Sequence, residues 1–183
     1  YPNPANFGCY MVKPKKHLGQ HFLTDKRIAE KIVGSLRAGN QDPVLEIGPG
    51  TGILTGHLLE RGTRLIPVEI DPESASFLRQ KWPELSGNLV EGDFLAMDLE
   101  KIPGQKLHVI GNFPYNISSQ IFFRILDHRN RVSSVVCMIQ KEVAQRIASP
   151  PGSRDYGILS VLLQAYYDIE YLFSVSDVSR VAN

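Results

Sequence analysis

The stretch PVLEIGPGTG, residues 43–52, decides the predicted fold. Residues 43–47 are a largely apolar run that predicts a buried strand, and the pattern over about 51–60 predicts a helix. Gly48, Gly50 and Gly52 lie between them, where glycine permits a tight turn and lets a ligand approach the backbone closely. A strand, a glycine loop and a helix in this order indicate a binding loop for a nucleoside-type cofactor.

Strands and helices alternate on either side of this stretch. The further predicted strands lie at about 64–70, 88–91, 107–111, 132–139 and 169–175. The further predicted helices lie at about 25–36, 71–81, 117–126, 141–148 and 156–167. This alternation predicts a Rossmann-like α/β fold, with a mostly parallel sheet and helices on both faces. Ligands are then expected at the carboxyl ends of the strands.

The spacing of the glycines distinguishes between a dinucleotide cofactor and a nucleoside cofactor. It is G-x-G-x-G, and Glu46 stands two residues before the first glycine. Ile53 occupies the position of the third glycine in the dinucleotide pattern G-x-G-x-x-G. A site for a pyrophosphate group is therefore less favoured than a site for a nucleoside.

Acidic residues end the next two predicted strands. Glu69 lies 21 residues after Gly48, and a carboxylate there can accept hydrogen bonds from both hydroxyls of a ribose. Asp93 can meet the adenine amine of a cofactor, with Phe94 beside the ring. A lone glycine loop would fit a simple turn equally well, but acidic residues at two successive strand ends favour a cofactor site.

A second motif, Asn112-Phe-Pro-Tyr115, follows the apolar run at 107–111. The Asn112 side-chain oxygen and the Pro114 carbonyl can accept the two N–H bonds of an adenine exocyclic amine, and Tyr115 can stack on the base. Such a base must be unpaired or extruded. The motif alone would fit a proline turn with a core aromatic residue. Together with the glycine loop, it predicts transfer of a methyl group from S-adenosylmethionine to a base amine, mostly by placement.

Composition limits the class of protein. The 183 residues, 43% hydrophobic and 21% charged, suffice for one domain with a core. No apolar run approaches the roughly 20 residues of a membrane span, so no membrane partner is expected. The five histidines are scattered without ligand spacing, and we expect no metal. Two cysteines are too few for a disulfide framework, which fits a cytoplasmic location.

Positive charge is concentrated near the beginning of the chain. The formal net charge is +1, but residues 11–37 carry seven lysines and arginines against two acidic residues. Lys13, Lys15 and Lys16 open this segment and are candidate contacts to RNA phosphates. Charge alone would fit a solvated surface equally well.

These motifs, in this order, resemble those of the rRNA adenine N6-dimethyltransferase family, most closely the KsgA type. The matching pieces are LGQHFL at 18–23, EIGPGTG at 46–52, VEID at 68–71, GD at 92–93, GNFPYNIS at 111–118, QKEVA at 140–144 and YGILS at 156–160. The resemblance implies an S-adenosylmethionine-dependent methyltransferase fold and dimethylation of two adjacent adenosines near the 3′ end of small-subunit (16S) rRNA. The implied partner is the pre-30S particle, and nothing in the sequence demands a partner subunit.

The resemblance also implies further site residues. In the family the segment matching 18–23 folds over the cofactor, which implicates Gln20, His21 and Leu23. The same matching assigns to the cofactor pocket Glu46, Gly48, Gly50, Glu69, Ile70, Asp93, Phe94 and Asn112.

Three segments are expected along the chain. Residues 1–12 have the character of a leader or a cloning remnant, and residues 13–175 form the catalytic domain. The family continues with a Phe-x-Pro-Pro-Pro-Lys-Val segment and a small helical domain that docks RNA. Residues 176–183 do not match that continuation, so this helical domain is expected to be absent.

Other functions share parts of this pattern. A large-subunit (23S) rRNA adenine methyltransferase of the antibiotic-resistance type carries the same motifs. A pre-ribosome assembly factor with weak or no turnover would also keep the cofactor site. A DNA adenine methyltransferase is less favoured, because those enzymes usually carry Asp/Asn-Pro-Pro-Tyr and Phe113 breaks that pattern.

Overall fold

The computed structural model of the protein describes residues 22–39, 41–175 and 180–181. The strands are β1 (Phe22–Leu23), β2 (Pro43–Ile47), β3 (Arg64–Glu69), β4 (Val90–Glu91), β5 (Leu107–Asn112), β6 (Val132–Met138) and β7 (Arg180–Val181). The helices are α1 (Lys26–Gly34), α2 (Ile53–Glu60), α3 (Pro72–Lys81), α4 (Ser118–Asp127), α5 (Lys141–Ala148) and α6 (Ile158–Gln164).

Five of the strands form one sheet in the order β4-β3-β2-β5-β6. All neighbouring pairs in this sheet are parallel. Parallel strands require crossover connections, and helices or helical turns lie between successive strands. The predicted α/β fold with a mostly parallel sheet is confirmed.

Helices cover both faces because apolar side chains point alternately to the two sides of each strand. In β2, Val44 packs with α1 and α2, whereas its neighbour Leu45 packs with α4 and α6. In β5, Ile110 belongs to the first of these clusters and Val109 to the second. The continuous apolar runs in the sequence therefore serve two cores, one on each face of the sheet.

Two helices begin at aspartate caps. Asp25 caps α1, and its side chain accepts a hydrogen bond of 2.9 Å from the backbone N–H of Arg27. Asp71 caps α3, and Pro72 occupies the first turn, where a missing N–H has no cost. The cap at Asp71 fixes the chain direction directly after β3, which determines where Glu69 and Ile70 lie.

The predictions fail mainly towards the end of the chain. The strand expected at 169–175 is wrong: these residues form no ladder with any described strand, and Tyr171, Leu172 and Phe173 are exposed. A segment forms a strand only where a neighbouring strand offers hydrogen bonds, and the described sheet ends at β6. The pairing of β1 with β7, antiparallel, was not expected from sequence.

Smaller differences concern element ends. The last helix is shorter than the predicted 156–167, and short 3₁₀ turns lie outside the predicted strands and helices, at Pro83–Gly87, Phe94–Ala96 and Leu99–Lys101. Within the described residues, no helix is long and apolar enough to cross a membrane.

Candidate active site

The loops that follow the parallel strands are held together at the carboxyl edge of the sheet. Backbone hydrogen bonds continue the ladder beyond the strand ends, from Gly48 N to Val68 O at 3.0 Å and from Phe113 N to Met138 O at 3.0 Å. Gly92 N donates in the same way to Glu69 O at 2.9 Å. This register brings the predicted residues after β2, β3, β4 and β5 to one edge.

The glycine loop has the backbone conformation that requires glycine. Gly48, Gly50 and Gly52 have φ values of 62°, 57° and 77°, in the left-handed region. A Cβ on Gly52 would stand 2.3 Å from Trp82 Cζ3, so a side chain there is also excluded by packing. A Cβ on Gly48 would meet nothing within 4 Å. The backbone at Gly48 is therefore open to a ligand.

Glu69 is tied to this loop by its carboxylate. The side chain is 1% exposed, Oε2 accepts from Gly50 N at 2.9 Å, and Oε1 accepts from Asp71 N at 2.9 Å. Burial raises the pKa of Glu69, while the bonds from the backbone N–H groups oppose that shift. Each oxygen retains acceptor capacity, because a carboxylate oxygen can accept more than one hydrogen bond. The proposed ribose contact at Glu69 stays a prediction.

Glu46 is as buried as Glu69, and its carboxylate has fewer hydrogen-bond partners among the described residues. It is 1% exposed, and its Oε2 accepts a hydrogen bond of 2.7 Å from the Thr55 hydroxyl. Its Oε1 has no hydrogen-bond partner among the described residues. Burial raises the pKa of Glu46 to about 8; the Thr55 hydrogen bond opposes this shift, and the charge of Glu69 adds to it.

A recess opens between the glycine loop and the end of β5. It brings together four of the residues predicted to bind the cofactor, from three separate parts of the sequence. Its lining residues are Leu23, Glu46, Gly48, Pro49, Thr51, Ile53, Leu54 and Asn112.

The second predicted motif forms the other wall of the site. Asn112 is the last residue of β5, lies opposite Met138 and is half-buried. Phe113 is buried and packs edge-to-face on Phe122, with ring centroids 5.7 Å apart. The Pro114 carbonyl accepts a hydrogen bond of 3.2 Å from Ile117 N, and Tyr115 is half-buried. The buried Phe113 ring thus anchors the loop, and Asn112 and Tyr115 lie on either side of it in sequence.

The adenine side of the predicted site is more exposed. Ile70 is 49% exposed directly after β3. Asp93 is exposed, and its Oδ1 accepts from Leu95 N at 2.9 Å, capping a 3₁₀ turn. Phe94, in contrast, is 3% exposed and packs in the core. The predicted position of Phe94 beside the adenine ring stays a prediction.

Several predicted residues cannot be placed. Gln20 and His21 lie outside the described residues, as do Lys13, Lys15 and Lys16. Leu23 of the same N-terminal segment is described, and it is buried against the recess. No group of three or more His, Cys, Asp or Glu side chains that could hold a metal occurs within the described ranges.

Sequence reasoning missed Thr55. It lies nine residues after Glu46, on the helix that follows the glycine loop, and its side chain is completely buried. A hydroxyl in the first turn of a helix next to a buried acidic residue is the signal that could have identified it. Because it donates to one oxygen of Glu46, it fixes the orientation of the other.

The recess fits S-adenosylmethionine by its chemistry. Leu23, Ile53 and Leu54 provide apolar surface, Gly48 leaves its backbone accessible, and Glu46 offers an acceptor oxygen that has no partner in the described part of the chain. A ligand with apolar parts and a positive charge would satisfy all three features.

Comparison with known proteins extends this picture. A family model described as ribosomal RNA adenine dimethylase matches residues 11–178. The ribosomal RNA small subunit methyltransferase A of Parabacteroides distasonis is 57% identical over 168 residues, covering 91% of this chain and 63% of that protein. The chain therefore spans less than two thirds of the length of that relative.

Two solved structures have the same architecture. A dimethyladenosine transferase from Plasmodium falciparum superposes with a TM-score of 0.67 and 31% identity, over 78% of this chain and 52% of the other. The 23S rRNA methyltransferase ErmE gives a TM-score of 0.60 and 32% identity, over 69% of this chain and 51% of the other.

Proposed function

Because the chain belongs to the ribosomal RNA adenine dimethylase family, we propose that it carries the catalytic site for dimethylation of adenine N6. The proposed substrate is a pair of adjacent adenosines near the 3′ end of small-subunit rRNA, in the pre-30S particle. The observation that carries the proposal is that Asn112 lines the same recess as Glu46 and Gly48. The name of the Parabacteroides relative supports the choice of ribosomal subunit.

The proposed cofactor is S-adenosylmethionine, which supplies a methyl group activated on a sulfonium. Glu69 would accept from the ribose hydroxyls with the lone pairs that its backbone donors leave. Ile70 would pack on the adenine with its exposed side chain, and Asp93 would accept from the adenine amine. Gln20 and His21 would close over the cofactor beside Leu23.

The residues after β5 would place the target base. Asn112 Oδ1 and the Pro114 carbonyl would accept the two N–H bonds of the adenine amine, which favours a pyramidal nitrogen with its lone pair towards the recess. The Pro114 carbonyl uses one lone pair for Ile117 N and retains the other. Tyr115 would stack on the base, an interaction worth roughly 1–3 kcal/mol. Alignment of the amine with the methyl carbon then supplies most of the rate.

RNA binding is proposed for the basic segment that precedes and includes α1. On α1 and just after it, the described cations are all exposed: Lys26, Arg27, Lys31 and Arg37. They would continue the charge of Lys13, Lys15 and Lys16 along the phosphate backbone. Each proposed site residue belongs to one chain, so a monomer suffices, and the rRNA substrate implies a cytoplasmic location.

The experiment is methyl transfer from labelled S-adenosylmethionine to small ribosomal subunits that lack the modification. Naked rRNA and large subunits run in parallel, and the RNA is digested to nucleosides. We expect dimethyladenosine in small subunits alone. Cofactor binding without label in any RNA would contradict the proposal and favour a role as an assembly factor.

A second candidate function is methylation of large-subunit rRNA. The similarity to ErmE, at a TM-score of 0.60 and 32% identity, favours it. Label that enters large subunits or their naked rRNA, with none in small subunits, would decide for this alternative.

A further inference from the structure

We propose that Glu46 recognises the positive charge of the cofactor and that its carboxyl gives up a proton when the cofactor binds. This inference rests on the proposed function, because it concerns the same recess. It adds a linkage between cofactor binding and pH that the methyl-transfer reaction itself does not require.

The geometry of the carboxyl is the first argument. Glu46 is 1% exposed, and Thr55 is its hydrogen-bonding neighbour among the described residues, with its hydroxyl donating to Oε2 at 2.7 Å. Oε1 has no partner among the described residues, although the residue lines the recess. An isolated buried carboxylate is costly, so a carboxyl in this position is favoured as the neutral acid until a cation arrives.

The charges around the recess are the second argument. Thr55 contacts Glu46 from α2, while Asn112 of β5 and Leu23 of β1 line the same recess, and all three are neutral. The charged neighbour is Glu69 on β3, a carboxylate that disfavours a second negative charge. No lysine, arginine or histidine occurs among the described residues that line the recess. Since no cation lines the recess within the described ranges, we assign the compensating positive charge to the ligand.

The bond changes are simple. In the ligand-free chain the carboxyl of Glu46 keeps its O–H bond. When a cationic ligand enters, that bond breaks, the proton leaves to the buffer, and the carboxylate pairs with the cation. S-adenosylmethionine carries a sulfonium and an ammonium, whereas 5′-methylthioadenosine has the nucleoside without either charge. The two ligands therefore separate charge recognition from nucleoside recognition.

The test is calorimetric titration at pH 7 in two buffers with different ionisation enthalpies, which counts protons released per ligand bound. We expect release of nearly one proton with S-adenosylmethionine and none with 5′-methylthioadenosine. Apparent affinity for S-adenosylmethionine should rise by up to about tenfold per pH unit between pH 6 and 7.5. This range stays below the titration of the ligand's own α-amino group, near pH 8.

Variants test whether the proton released on cofactor binding comes from Glu46. Glu46→Gln should release no proton and should remove the pH dependence of affinity. Thr55→Val should shift the pH dependence of affinity to higher pH, because the Thr55 hydrogen bond lowers the pKa of Glu46. Thr55→Ser should restore the pH dependence of the unaltered protein. An infrared band of a protonated carboxyl in the ligand-free protein, absent from Glu46→Gln, reports the same proton without any ligand.

The outcomes separate this inference from the proposed function. Proton release that persists in Glu46→Gln, or a ligand-free protein at pH 7 without the carboxyl band, overturns the inference while methyl transfer can still occur. Proton release that depends on Glu46 supports the inference even where no RNA is methylated, a result that would contradict only the proposed function.

Discussion

The two halves of the site at the carboxyl edge of the sheet are built differently. In the glycine-loop half, Glu69 is buried and both its oxygens accept backbone hydrogen bonds, from Gly50 and Asp71. In the half that follows β5, Asn112 and Tyr115 are half-buried, and Phe113 anchors them through the core. The first half is held in place by backbone hydrogen bonds to the Glu69 carboxylate. The second half presents partly exposed side chains before and after the buried Phe113 in sequence. This difference suits a small cofactor in the glycine-loop half and a base of an RNA chain in the half that follows β5.

The sharpest test of this difference is Asn112→Ala. Loss of an acceptor used only during transfer should lower single-turnover methylation by about 100- to 1000-fold while cofactor affinity changes little. The matched control is Asn116→Ala, an exposed asparagine in the same loop, which should keep its rate. A parallel loss of rate and calorimetric affinity would mean that Asn112 belongs to the cofactor half.

The complementary change is Glu69→Ala. It leaves the buried N–H groups of Gly50 and Asp71 without acceptors and removes the ribose contact, so affinity for S-adenosylmethionine should fall by about 10- to 100-fold. Glu91 is its register partner on β4 but is exposed and paired with Arg79 at 2.9 Å. Glu91→Ala should leave affinity unchanged in calorimetry, and equal effects of the two variants would refute the role of Glu69.

The glycine loop can be tested with two glycines of similar conformation. Gly48 and Gly62 have φ values of 62° and 73°, and an added Cβ meets nothing within 4 Å at either position. Alanine at each should cost similar stability, about 1–2 kcal/mol, because the backbone strain is the same. Gly48 alone lines the recess, so Gly48→Ala should also weaken cofactor binding about tenfold. Equal affinities of the two variants would contradict a ligand at Gly48.

The buried carboxyl of Glu46 should make the stability of the ligand-free chain depend on pH. Its pKa of about 8 lies above the ordinary value of 4.5, so between these values the folded chain holds a proton that the unfolded chain has lost. This contribution is therefore complete below about pH 4.5 and is lost as pH rises through 8, at no more than about 1.4 kcal/mol per pH unit. Chemical denaturation from pH 5 to 8 should show a shallower decline for Glu46→Gln, whereas the exposed control Glu91→Gln should follow the unaltered protein.

The smallest expected effect concerns RNA. Lys15→Glu combined with Lys16→Glu should remove about two phosphate contacts and reduce the slope of log affinity against log salt by about 1.4 for single-stranded RNA. The control pair is Lys101→Glu with Lys106→Glu. These two exposed lysines precede β5, at the edge of the sheet opposite the carboxyl edge that carries the candidate site. An unchanged salt slope in the Lys15→Glu, Lys16→Glu variant would mean that these two lysines belong to a solvated surface and do not contact RNA.

Much of the fold and of the site could be predicted because the signals are local. The strand Pro43–Ile47, the helix that follows Asp71 and the helix Lys141–Ala148 lie where the sequence places them. The prediction for Ile169 to Val175 failed because strand formation needs a partner strand, which a short segment cannot supply by itself. Thr55 was missed because its role depends on a carboxyl nine residues away that only the fold brings within 2.7 Å.

The sequence by itself determined the succession along the chain of the five strands of the main sheet and of the helices, the left-handed turns that need glycine, and the chemical types at the strand ends. These depend on backbone propensity and on apolar periodicity, which are properties of short segments. The tertiary structure decided which polar atoms are partnered and which are not: Glu69 is satisfied by backbone N–H groups, whereas one oxygen of Glu46 is left without a partner among the described residues. Hydrogen bonding and desolvation depend on all neighbours in space, so no short segment could specify them.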